Sequence, residues 1–136
     1  MARLVVRKGE LIVRLSWWEK LAARRGDVHV PVEAVEQVTT DPSWWRVVRG
    51  TQGRGTWIPD LLSIGVRDVS DDARDFIALR PRSGPVICVD LRPGAAPFAR
   101  LAVTDRVPDA TAAQIRLAVS RLPHPPPTYR DDLGWP

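Results

Sequence analysis

The sequence predicts a mainly β fold with one C-terminal α-helix. Three observations lead there. Apolar and polar residues alternate with period two in short runs between Arg3 and Val103, clusters of glycine, proline and aspartate separate those runs, and one late stretch carries helical periodicity with helix end signals. At 136 residues the chain has room for one core and not for two.

Residues 3 to 16 begin the pattern. Leu4, Val6, Leu11, Val13 and Leu15 fall on one face, and Gly9 sits where a tight turn needs a residue with positive φ, so a β-hairpin is expected. Residues 17 to 26 hold good helix formers but stop at Gly26, which suggests a helical turn or an ordered loop. Val28, Val30 and Val32 alternate with Asp27 and His29, and Pro31 lacks the donor that an interior strand requires. Val32, Val35 and Val38 then recur every three residues, as in a bent connection, with brief pairing from Val38 to Thr40 before Asp41-Pro42.

Arg49 to Gly65 is the pivotal stretch. Gly50, Gly53 and Gly55 read as a glycine-rich turn that leads into a strand with Leu62, Ile64 and Val66 inward. Ile58 precedes a proline and must be extended. Ser70-Asp71-Asp72 marks the next turn, and Arg74 to Arg80 and Pro85 to Leu91 read as two strands. The second is apolar on both faces, Val86-Ile87-Cys88-Val89, as befits a central strand. After Arg92-Pro93-Gly94, one more strand runs from Phe98 to Val103.

The helix is expected over residues 108 to 122. Pro108 suits its first turn, Asp109 its positive end, and Arg116 and Arg121 its negative end, while Ala112, Ile115, Ala118, Val119 and Leu122 form its apolar stripe. The chain therefore divides into a domain at 3–122 and a proline-rich tail at 123–136.

Charge and composition narrow the classes of function. The 20 basic residues exceed the 16 acidic ones by four, yet arginines are scattered from Arg3 to Arg130 with acids between them, so a nucleic-acid partner is not expected. Cys88 is the single cysteine, which excludes an internal disulfide and points to a reducing compartment. No signal-peptide core or membrane-spanning run is apparent, so the cytoplasm is the expected location.

Several segments together resemble a known family. These are Glu19-Lys20-Leu21 ahead of Gly26-Asp27-Val28-His29-Val30-Pro31, then Val35-Glu36-Gln37-Val38, then Arg49-Gly50 leading to Gly55-Thr56-Trp57-Ile58-Pro59-Asp60-Leu61. The pattern resembles small bacterial pleckstrin-homology-like proteins of unknown function, with Asp60 standing where that pattern has glycine. The resemblance covers about residues 3 to 122. It implies a partly open barrel, or two orthogonal antiparallel sheets, capped by the helix.

No catalytic constellation emerges. The glycines of residues 50 to 55 lack the Lys-Ser or Lys-Thr pair and the following helix of a phosphate loop, and they lack the flanking helices of an RNA-clamping loop. His29 and His124 have no partner at metal-ligand spacing, so neither metal nor cofactor is expected. Cys88, among Val86, Ile87 and Val89, reads as an inert core thiol. The carboxylates Asp68, Asp71, Asp72 and Asp75, and again Asp131 and Asp132, read as solvated turns.

The tryptophans stand out. Trp17-Trp18, Trp44-Trp45 and Trp57 fall at strand ends or loops, near Arg24, Arg25, Arg46, Arg49 and Arg54, where a structural cap is the first reading and a contact surface or an Arg-Trp stacking layer the alternative. The expectation is a non-enzymatic module for protein or peptide contact, with a second copy of the chain among the candidate partners. The second expectation is an anionic membrane surface bound through Arg3, Arg7, Lys8 and Arg14 of the first hairpin, and the third a small-ligand pocket at the end of the barrel.

Overall fold

In a computed structural model, described here for residues 2–122, the chain forms nine strands and two α-helices. β1 (Arg3–Arg7) and β2 (Glu10–Arg14) make the expected hairpin, with Lys8 and Gly9 both at positive φ (51° and 79°), as a two-residue loop matched to strand twist requires. α1 (Trp17–Ala23) follows, then β3 (Val28–Pro31), which pairs with β2 and completes a three-stranded antiparallel sheet. Residues 17 to 26 thus hold a two-turn α-helix rather than a loop.

The remaining strands form one six-stranded sheet in the order β4-β8-β9-β7-β6-β5. A 3-10 turn at Val32–Ala34 leads into β4 (Val35–Asp41), so the recurrence of valine every three residues marks a turn followed by a full strand on β8, not a bent connection. β5 (Thr51–Ile58) is the opposite edge and β6 (Leu62–Ser70) its neighbour. The glycine-rich stretch is therefore mostly strand. Gly55 and Gly65 face each other where β5 and β6 approach so closely that a Cβ on Gly55 would stand 2.2 Å from the Ile64 carbonyl oxygen. Glycine serves here as a contact between backbones rather than as a bend.

β7 (Ala73–Leu79), β8 (Val86–Leu91) and β9 (Arg100–Thr104) fill the middle. β9 inserts between β7 and β8 and runs parallel to β7, so the sheet is mixed rather than antiparallel throughout. The two sheets do not close into a barrel. Pro31, at the end of β3, has no N–H to extend a ladder, and the chain leaves through the 3-10 turn to start the second sheet. α2 (Pro108–Ser120) packs against β1, β4 and β8, bridging the sheets with Ala112 and Ile115 buried.

The main core lies between the sheets: Leu4, Leu11, Val13, Val28 and Val30 on one side, Ile64, Phe76, Ile87, Val89 and Leu101 on the other. Burying a side chain such as Leu or Phe contributes roughly 1.5–3 kcal/mol. The six-stranded sheet also buries part of its other face. Ile77, Leu79, Val86, Cys88 and Ala102 lie under Val47, Val48 and Trp44, which belong to the connection between β4 and β5. β8 is thus buried on both faces, as its unbroken apolar run requires. No helix among the described residues is long and apolar enough to cross a membrane. The proline-rich tail, with His124, Asp131 and Asp132, lies outside the described residues.

Candidate functional site

α1 is short, and its ends explain why it forms. Ser16 is extended at the N-cap, and Glu19, at the third helical position, accepts the Ser16 N–H at 2.9 Å and the Ser16 hydroxyl at 2.8 Å through Oε1. Its Oε2 accepts the Ala2 N–H at 2.9 Å and lies 3.8 Å from Arg80 Nη2. A carboxylate buried to 1 % exposure is thus satisfied from three directions, and it ties the N-terminal strand to the helix. At the other end Arg24 takes the left-handed conformation (φ 58°) and donates its N–H to the Lys20 and Leu21 carbonyls.

This short helix rests on β5 and β6. Thr56 donates its hydroxyl to the Ala22 carbonyl at 2.8 Å, Arg80 lies 4.7 Å over the Trp18 ring, and the C-terminal end of the helix shares a cleft with Arg54, Asp68 and Arg74. α1 therefore runs along the β5–β6 hairpin with its first turn toward the hairpin tip. Its outward residues are apolar: Trp17 is 76 % exposed and Leu21 69 %. The tip adds Trp57, Ile58 and Leu61, all exposed, around the turn at Pro59 and Asp60. Asp60 sits at φ 62°, a backbone position that favours glycine.

The expected contact residues divide between this end and the interior. Trp18 packs against the core and is half-buried, as is Trp44, which meets Trp45 edge to face at 6.0 Å. Trp45, with Arg46 beside it, is exposed. Trp17, Trp45 and Trp57 are thus surface rings rather than caps. Arg54 is exposed next to α1.

Arg49 does something else. Its Nε donates to Asp75 Oδ2 at 2.6 Å and its Nη2 to Asp75 Oδ1 at 3.0 Å, and this hydrogen bonding raises the guanidinium above its ordinary pKa. Asp75, expected in a solvated turn, is fully buried in β7. Its neighbours in register are Arg67 on β6 and Arg100 on β9, and Arg100 in turn pairs with Asp90 on β8 at 2.7 Å. Arg67 also donates to the carbonyls of Arg49 and Gly50, and Arg100 to that of Val47. Four strands thus carry a row of alternating charge that fastens residues 47 to 50 over the second apolar cluster.

The basic residues of the first hairpin are not gathered in one place. Arg3 pairs with Arg14 at one end of β1–β2, whereas Arg7 and Lys8 stand at the turn, about 13 Å away along the strand at its usual rise. Arg3 and Arg14 line an open cleft with Arg106 and Asp105. His29 is exposed, with Nδ1 3.5 Å from Glu10 Oε1. Cys88 is buried, and desolvation pushes its thiol up to about 11. Among the described residues no three His, Cys, Asp or Glu side chains converge as a metal-holding group.

Sequence reasoning missed the charge row, and it named Arg24, Arg25 and Arg54 as neighbours of the tryptophans without joining them to Arg74 in one cleft. Asp75 was legible in principle, since Asp75, Ile77 and Leu79 share one face of β7, which the buried Ile77 and Leu79 would mark as interior. What could not be read was the partner 26 residues away. No family model, curated protein or solved structure matches the chain.

Proposed function

We propose that the chain is a non-enzymatic binding module of pleckstrin-homology-like type that takes a protein or peptide partner on the end built by α1 and the β5–β6 tip. One observation carries this reading. Of the eight exposed large apolar side chains among the described residues, five (Trp17, Leu21, Trp57, Ile58 and Leu61) belong to this helix and this hairpin. Thr56 faces α1 and Trp57, next along the strand, projects from the other face, so these side chains wrap around the tip. Concentrations of exposed apolar residues mark interaction surfaces, and tryptophan is enriched among residues that dominate binding energy. The mainly β architecture with a C-terminal helix and the Gly-Thr-Trp-Ile-Pro segment support the likeness in type.

The test is photo-crosslinking from Leu21 and Leu61 in cells, paired with sedimentation of the purified chain across a range of concentration. Specific adducts with a protein, a second copy included, that disappear in Trp17→Ser/Leu61→Ser are expected. Adducts unchanged by that pair, together with a monomer at every concentration, would count against the reading.

A further inference from the structure

We propose that the cleft at the C-terminal end of α1 binds a phosphate monoester group. The cleft has a volume of about 460 Å³, and its lining includes Arg24, Arg25, Arg54 and Arg74 against one carboxylate, Asp68. Asp68 is matched by Arg74 at 3.4 Å. Arg24, Arg25 and Arg54 make no ion pair with any described residue, so the cleft gathers more guanidinium charge than its one carboxylate balances.

Arg25 is held there by aromatic contacts, and Arg24 and Arg54 are presented from irregular backbone positions. Arg25 lies 5.0 Å over the Phe98 ring and 5.7 Å over Phe76, and its Nε is buried without a hydrogen-bond partner. Those rings fix the plane of the guanidinium before any ligand arrives, which lowers the entropy lost on binding. Arg24 occupies a left-handed backbone position at the end of a helix, where glycine is the usual solution. Arg54 lies within the register shift between Gln52 and Gly55, an irregularity of the kind that re-aims a side chain next to a site.

The ligand class follows from charge and shape. A phosphate monoester carries between one and two negative charges near neutrality and offers three acceptor oxygens, which suits several guanidinium forks at once. The cleft exceeds the volume of the phosphate and leaves room for the group it esterifies. This site is independent of the apolar end, so either can fail alone.

The experiment titrates the full chain with glycerol 3-phosphate at constant ionic strength, followed by amide chemical shifts, in four variants. Binding is expected to saturate and to weaken about tenfold in Arg54→Gln and in Arg24→Gly, the scale of one charged hydrogen bond. Asp68→Asn should tighten it. Arg14→Gln, on the remote hairpin, should leave it unchanged. Arg24→Gly also relieves a left-handed non-glycine residue, so its melting temperature should not fall, and weaker binding in that variant cannot be ascribed to unfolding.

A second arm distinguishes the source of the group. Co-sedimentation with phosphatidylcholine vesicles containing phosphatidic acid, lost in Arg54→Gln and Arg24→Gly, would identify a lipid headgroup. Glycerol 3-phosphate binding without vesicle binding would identify a soluble ester. Absence of saturation, or equal affinity in the parent chain, Arg54→Gln and Arg24→Gly, would overturn the proposal and leave the arginines as a solvated basic face.

Discussion

Arg49 clamps Asp75 with two hydrogen bonds, of 2.6 and 3.0 Å, across the outer face of the six-stranded sheet. The carboxylate is 1 % exposed in its side chain and the guanidinium 38 %, so only one partner is desolvated. Arg49→Ala leaves Asp75 buried without its clamp. Breaking a buried pair costs about 3–5 kcal/mol, and the water at the outer edge of Arg49 places this case near ~3 kcal/mol. Urea unfolding checks it. Arg49→Ala/Asp75→Asn together should recover part of the loss, since no buried carboxylate is left without its clamp.

Cys88 gives a pH dependence with a definite sign. Burial raises its thiol from 9.0 to about 11. The unfolded chain therefore loses this proton first as pH rises, and folding keeps it bound. Stability from this group is fully present below pH 9 and declines between about pH 9 and pH 11. Comparison of unfolding free energies for the parent chain and Cys88→Ala across that window isolates the term: the difference between them should shift steadily toward the alanine variant. At pH 8 the native thiol should also resist alkylation and react only on unfolding.

The facing glycines of β5 and β6 set the next expectation. A Cβ on Gly55 would meet the Ile64 carbonyl oxygen at 2.2 Å at a φ of 151°, whereas one on Gly26 would have nothing within 4 Å. Gly55→Ala should cost roughly 3 kcal/mol, through strain and forced separation of the strands. Gly26→Ala should be neutral or stabilising by about 0.5 kcal/mol. Thermal melts of the two variants side by side distinguish these outcomes.

How much of this was legible in the sequence depended on the range of the interaction. The first hairpin, β8 and the terminal helix follow from local periodicity and turn chemistry, and all three are present. Gly55 misled because glycine permits both a bend and a close approach, and only the position of β6 decides between them. Asp75 and Arg49 could not be joined because no local rule pairs residues 26 apart. The parallel β7–β9 pair was equally hidden, since period two carries no strand direction. For the candidate surface, the tryptophans were visible as anomalies, but Arg24, Arg25 and Arg74 come together only through the packing of α1 on the hairpin.

Asp60 tests the turn at the tip. Leu61 donates its N–H to the Ile58 carbonyl at 3.0 Å, with Pro59 and Asp60 between, and Asp60 bears the positive φ. A left-handed residue costs about 1–2 kcal/mol unless it is glycine, and glycine returns roughly 0.5–1 kcal/mol of that in chain entropy. Asp60→Gly should therefore stabilise by about 0.5 kcal/mol. Asp60→Val, branched at Cβ, should destabilise by ~1 kcal/mol or more. Equal stabilities for the two variants, read by denaturant midpoint, would be incompatible with this turn.

The tryptophans should separate by burial. Trp57 is 59 % exposed on edge strand β5, while Trp44 packs on the cluster of Ile77, Leu79, Val86 and Cys88. Trp57→Ser should change stability by no more than about 0.5 kcal/mol, as surface substitutions do. Trp44→Ser uncovers apolar side chains and removes a large partner from them, for an expected loss of ~2–3 kcal/mol. Intrinsic fluorescence quenched by iodide checks the assignment: Trp57→Ser and Trp17→Ser should each remove a strongly quenched component, whereas Trp44→Ser should remove a weakly quenched one. A residue kept for contact rather than for folding should combine a small stability effect with loss of the crosslinked adducts. Trp17 and Trp57 are expected to meet both conditions, and Trp44 only to fail the first.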